Sequence, residues 1–278
     1  MSAQEHAGIV YLVGAGPGDP ELLTVKALRL IREADVILHD ELIGSEILNF
    51  ANTKAHLRNV GKRCGRRSTS QDEINSLLVA FASFGLKVVR LKGGDPMIFG
   101  RAGEEIDALR RHSIDVEIVP GITTALSAAA SIQVSLTHRE VASTLVILPG
   151  HHAEDSSIDL AALAASRATF VIYMPGHNYQ VIQNRLLAAG LKPITPCAIV
   201  SHVMAHDEKV HVATVGTLSD APQLPAPSLL IVGEVVRFAK QTAGETNIEL
   251  MRVPEIYPTW TSPAEELAAT VRTGSSAR

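Results

Sequence analysis

Short apolar runs alternate with stretches of helical spacing along the first half of the chain. IVYLV (9–13) is closed by glycines, VILHD ends at Asp40, KVVRL starts at Lys87 and VEIV fills 116–119, while HLRNV, ending at Val60, is the weakest of the strand readings. A run as short and apolar as IVYLV reads as a buried strand. Between them, TVKALRLIREA from Thr24, QDEINSLLVAFAS (71–83), a segment after Gly103 and a small-residue segment over 122–132 read as helices. A βαβα series predicts a parallel sheet with helices on both faces.

The second half has a different rhythm. STLVILP, FVIYM and PCAIV read as strands with helices between them, and EKVHVATVGTL (208–218) and SLLIVGEVV (228–236) lie close together. The short, proline-containing connection between the last two predicts that they pair antiparallel. The expected organisation is an N-terminal α/β domain over 8–136 and a C-terminal mixed α/β domain over 137–240. A tail, 241–278, is irregular, with Ser262, Pro263 and Glu265 spaced for one short capped helix.

Composition narrows the function classes. Aromatic residues make up 4% of the chain, too few for a base-stacking platform, and the formal net charge of −4 disfavours a general polyanion binder, so no nucleic-acid partner is expected. Cys64 and Cys197 are too few and too far apart in sequence for a disulfide framework. No apolar run is long enough to span a membrane, and MSAQEHAG has no basic segment ahead of an apolar stretch, so a cytoplasmic protein without a signal peptide is expected.

The strand ends carry the chemistry. GAGPGD (14–19) stands where a dinucleotide fingerprint would, but Asp19 occupies the last glycine position and Pro17 removes a backbone donor. The loop is either a tight turn or a ligand edge that holds no phosphate. Asp40, Gly61–Lys62, Gly93–Gly94–Asp95 and Pro120–Gly121 with Thr123 and Thr124 end the next four strands. In open α/β sheets that edge binds ligands. LKGGDPMIFGRAGEE (91–105) adds Arg101, suited to a bidentate carboxylate pair, and Glu104, a candidate base. Arg101 and Glu104 could equally form an ordinary helix pair. Glu105 reads as a solvated carboxylate or as one that complements the helix dipole. In HVMAH (202–206) two histidines stand four apart, but the segment follows a strand and turns, so no metal is expected.

GAGPGDPELLTVKAL, VGKR, VVRLKGGDPMIFGRAGEE, VPGITTALSAAA, LTHR, PGH and LLIVGEVV occur in one order from about Val10 to Val236. The set closely resembles the uroporphyrinogen-III C-methyltransferases of the tetrapyrrole methylase family. That resemblance implies a two-domain α/β methyltransferase, a homodimer with S-adenosylmethionine between its domains, the cofactor leaving as S-adenosylhomocysteine. It implies C-methylation of uroporphyrinogen III at C2 and C7 to precorrin-2, feeding siroheme, cobalamin or haem d1 synthesis. Two alternatives are a sister precorrin methylase and a silent cofactor- or tetrapyrrole-binding protein.

By the same resemblance, cofactor contacts map onto Pro17, Gly93, Gly94, Asp95, Ile98, Thr123, Thr124, Met174, Val203 and Ser228. Lys62 matches the family's proposed proton donor and Asp40 its acceptor, beside Arg101 and Glu104. Substrate contacts fall on Arg101, Arg139, His151 and, in the basic loop GKRCGRR, Arg63. The sequence departs from the family pattern at YMPG (173–176), at Gln133 and Ser135, at Ser70, at SHVM (201–204) and at Glu41. None of these removes a proposed catalytic group.

Overall fold

The computed structural model describes residues 8–61, 69–150 and 158–239, and among them the alternating pattern becomes two five-stranded sheets. The first contains β1 (Val10–Gly14), β2 (Val36–His39), β3 (His56–Asn59), β4 (Val88–Lys92) and β5 (Val116–Val119). All its pairings are parallel, in the order β3-β2-β4-β1-β5. The central strands β2 and β4 are buried at every residue, whereas edge strand β3 is exposed at every residue, which is why it read as the weakest of the five.

Helix placement follows from strand order. α1 (Val25–Glu33) and α2 (Ser45–Leu48) pack with Val13, Ile37, Val89 and Leu91. α3 (Gln71–Ser83) and α4 (Ala102–Arg111) pack with Leu12, Val36, Leu38 and Val88 on the other face. The chain moves one way from β1 through β3 and back through β4 to β5, and right-handed crossovers put the two helix sets on opposite sides. Local signals agree with these bounds. Thr24 caps α1, and Ser70 and Glu73 close a capping box on α3.

The second sheet contains β6 (Leu145–Pro149), β7 (Thr169–Tyr173), β8 (Pro196–Ser201), β9 (Lys209–Thr214) and β10 (Ser228–Val232), in the order β6-β7-β10-β8-β9. β6 and β7 are parallel and the other pairs antiparallel, so the sheet is mixed. One expectation fails here. β9 and β10 do not pair, because β8 lies between them and pairs with both. β8 is buried throughout and needs a neighbour on each side, while residues 215–227, which include a 3₁₀ turn at Val215–Asp220, are too long for a tight hairpin.

α6 (Leu160–Ala165) and α7 (Tyr179–Ala188) cover one face of this sheet. α5 (Thr124–Ser131) covers the other. Its Ala125, Ala128 and Ala129 pack among Val171, Ala198, Val200, Leu229 and Ile231, so a helix that follows the first sheet is part of the second sheet's core. Among the described residues no helix is long and apolar enough to cross a membrane.

Candidate active site

β1 and β4 are neighbours, yet their outgoing chains leave toward opposite faces of the sheet, the geometry that opens a ligand crevice at strand carboxyl ends. Here backbone braces it. Gly16 N–H donates to the Gly94 carbonyl (3.1 Å) and Gly94 N–H to the Gly16 carbonyl (2.7 Å). Gly14, Gly94 and Gly121 pack backbone to backbone. A Cβ on Gly121 would lie 2.3 Å from the Gly94 oxygen, so only glycine fits. Asp19 accepts from Glu21 N–H and caps a 3₁₀ turn at Pro20–Leu22. The loop carrying Pro17 is thus a brace for residues 93–95.

Asp95 joins two strand ends. One carboxylate oxygen accepts from Met97 N–H (2.8 Å) and the other from Gly121 N–H (3.0 Å). Beside it Gly93 is exposed, and a Cβ there would meet nothing nearer than Leu42 at 4.0 Å. The segment offers open backbone and a fixed carboxylate that pairs with no cation among the described residues, a donor set wrong for pyrophosphate. It fits a ligand bearing hydroxyl and ammonium groups.

Below this edge lies a charged cluster that the sequence reading missed. Glu105 is wholly buried. It accepts from Arg90 Nε (3.0 Å) and from Lys92 Nζ (3.0 Å to each oxygen). The expectation of a solvated Glu105 is therefore corrected. The first turn of α4 faces β4, where residues 90 and 92 share one face of the strand, and the carboxylate meets their charges. Arg90 also donates to the Asp40 carboxylate at the end of β2. Burial would lower the Arg90 pKa, but Asp40 and Glu105 outweigh it and raise it. Burial, and then the Arg90 charge, hold Lys92 below the usual lysine value.

Arg101 and Glu104 are both exposed and form a two-pronged pair, Nε–Oε1 2.7 Å and Nη2–Oε2 2.7 Å. The bond to Arg101 lowers the Glu104 pKa, and the bond to Glu104 raises that of Arg101. Arg101 stands at the N-cap of α4 with a left-handed backbone (φ 55°), and Phe99, two residues earlier, is left-handed as well (φ 52°). Such residues cost about 1–3 kcal/mol each and cluster at ligand sites. Ile98 lies half-buried between Asp95 and Phe99. Lys62, Arg63 and His151 fall outside the described residues, and Arg139 is exposed on the turn closed by the His138–Ala142 bridge.

The second sheet brings its own edge to the same place. Met174 follows β7 with a left-handed backbone (φ 50°) and an exposed side chain, and Pro175 is buried against Gly150. Ser228 starts β10 opposite Ser201, and Val203 is buried just beyond β8. The two edges touch at Tyr173, which the sequence reading passed over as one more strand aromatic. Its hydroxyl lies 2.5 Å from Thr123 Oγ1 and accepts from Ala125 N–H (2.8 Å), and Phe99 meets its ring edge-on at 5.3 Å.

The HVMAH segment is a turn, with His202 and Met204 left-handed. The polar groups in and beside it bind one another and the nearby residues Ser131 and Ala226. His202 Nε2 lies 2.7 Å from the Ala226 carbonyl and Nδ1 2.6 Å from Asp207. Glu208 accepts from Ser131 and from Met204 N–H. Both His202 partners are acceptors, so the two hydrogen bonds form together only when the ring is protonated. The Ala226 carbonyl, then Asp207, raise its pKa. Stability from a raised pKa is full below the unfolded value, about 6.5, and is lost as pH rises through the folded value. Wild type should therefore exceed His202→Ala in urea midpoint near pH 6, and the gap should close as pH rises. A gap that stayed constant with pH would contradict the cationic clamp.

Comparison with known proteins gives concordant results. The profile of the Tetrapyrrole (Corrin/Porphyrin) Methylases matches residues 9–219. A siroheme synthase of Neisseria meningitidis serogroup B is 42% identical over 258 residues, covering 91% of this chain and 53% of its own length. That of Nitrosospira multiformis is 45% identical over 241 residues, covering 85% and 51%. The chain spans about half the length of the curated relatives it matches. The crystal structure of uroporphyrin-III C-methyl transferase from Thermus thermophilus, complexed with S-adenyl homocysteine, is similar with a TM-score of 0.71 and 40% identity. The match covers 83% of this chain and 99% of that one.

Proposed function

Because the chain belongs to the tetrapyrrole (corrin/porphyrin) methylases, we propose that it methylates uroporphyrinogen III at C2 and C7 and releases precorrin-2. The methyl donor is S-adenosylmethionine, which supplies an electrophilic methyl group when bound. The observation that carries the reading is that Asp95 accepts from Gly121 N–H and Thr123 meets Tyr173, next to Met174, where the two sheet edges touch. By family resemblance the same cradle includes Pro17, Gly94, Ile98, Thr124, Val203 and Ser228.

The substrate side is proposed around Asp40, Arg101 and Glu104, with Lys62, Arg63, Arg139 and His151 completing it. Arg101 already holds a carboxylate, that of Glu104, in the geometry it would use for a substrate carboxylate. Exposed ion pairs exchange at little cost. A substrate carboxylate that takes the Arg101 fork frees Glu104 and removes the contact that lowers its pKa. Glu104 then accepts the ring proton that must leave after carbon methylation. Asp40 cannot be released in this way, since its partner Arg90 is buried and fixed. Assembly as a homodimer in the cytoplasm belongs to the same proposal.

The test is incubation with S-adenosylmethionine and anaerobically generated uroporphyrinogen III, followed by absorbance and mass. Two added methyl groups are expected. One methyl group only, or transfer to a later precorrin in preference, would point to a sister activity. Cofactor binding without transfer to any tetrapyrrole would defeat the catalytic reading.

A further inference from the structure

Helix N-termini leave N–H groups that a local side chain usually satisfies. Thr123 occupies that place on α5, but its side chain caps nothing there. The Ala125 N–H is satisfied instead by the Tyr173 hydroxyl, 48 positions later in sequence and on the other sheet. With its oxygen accepting from Ala125, that hydroxyl has its own proton free for Thr123 Oγ1 at 2.5 Å. Burial raises the Tyr173 pKa, so the phenol keeps that proton near neutrality. Phe99 fixes the ring from the 96–101 loop, and the Met174 backbone turns left-handed at the next residue.

We propose that Tyr173 is a positioning residue, whose hydroxyl caps α5, holds Thr123 and so sets the cofactor cradle where the two sheet edges meet. The proposal rests on the cofactor reading above. Two segments of that cradle, 95–99 and 121–125, converge on this side chain from outside its own strand, and one hydrogen bond, from Gly121 N–H to Asp95, joins them to each other. Tyr173→Phe keeps the ring and its contact with Phe99 but removes the bond to Thr123 and the cap on Ala125.

The test uses S-adenosylhomocysteine as probe. Tyr173→Phe should weaken its binding by about tenfold in calorimetry, the scale of one buried hydrogen bond. The KM for S-adenosylmethionine should rise in parallel while kcat stays within about twofold, since binding geometry and not chemistry is disturbed. The Ala125 amide should lose hydrogen-exchange protection. Thr123→Val breaks the same bond from the other side, so the double variant should bind little worse than the weaker single one. Equal losses in KM and kcat, or additive losses in the double variant, would reduce Tyr173 to general packing. Wild type that binds and a Tyr173→Phe variant that binds equally well would sink the positioning role alone. Wild type that fails to bind S-adenosylhomocysteine would sink the cofactor reading, and this proposal with it.

Discussion

Glu105→Ala is expected to lower unfolding stability by about 3–5 kcal/mol, because it leaves buried cations without their countercharge. Lys92 loses the partner that holds its ammonium at 3.0 Å, in a place where burial already disfavours charge. Arg90 keeps Asp40 and the Leu38 and Leu91 carbonyls. Glu105→Gln preserves size and separates charge from volume. It should recover only part of the loss, since an amide accepts a hydrogen bond but neutralises nothing. The adjacent Glu104→Ala is the control. Glu104 is exposed, and its replacement should leave the urea midpoint nearly unchanged. Equal midpoints for Glu105→Ala and wild type would mean that the cluster contributes no net stability.

The second large effect is on turnover. Glu104→Gln should still bind S-adenosylhomocysteine yet lose about 10²–10⁴-fold in kcat, the usual contribution of a positioned base. Glutamine keeps an oxygen for the Arg101 fork but cannot take a proton at neutral pH. Asp40→Asn, assayed beside it, decides between the two carboxylates. A dead Asp40→Asn protein with intact binding, next to a normal Glu104→Gln protein, would move the role of base to Asp40. Near-normal rates in both would leave proton removal to water or to a carboxylate of the substrate.

Much of the frame was legible in the sequence because local and global signals agreed. The apolar run of KVVRL and the helical spacing of TVKALRLIREA and QDEINSLLVAFAS each specify an element, and the caps found at Thr24 and Ser70 stand where the two helices begin. The proposed ligand edge rests on a sequence signal too, since turn residues with polar neighbours recur at strand carboxyl ends. What escaped reading depends on contacts remote in sequence. Glu105 looked like any acidic residue in a first helical turn, and only the face shared by Arg90 and Lys92 makes it a buried ion. Two charges at alternate positions of an otherwise apolar strand were the available clue. Tyr173 gave no signal, because its partners stand 48 and 50 positions earlier. The β9–β10 pairing was misjudged because closeness along the chain stood in for closeness in the sheet, and the more uniformly buried β8 took the central place.

Strand order also governs how the sheets can be built during synthesis. In the first sheet β4 lies between β1 and β2, both of which leave the ribosome before it. In the second, β10 is the last strand made and lies between β7 and β8. Neither sheet can therefore grow by adding strands to an edge. Before Ser228 is made, the only pairings of this sheet that the topology allows are β6 with β7 and β8 with β9, each with an unfilled edge. Such edges are open to wrong partners until the late strand arrives. The contacts that close both sheets are long-range, so folding must wait on chain length more than on local structure.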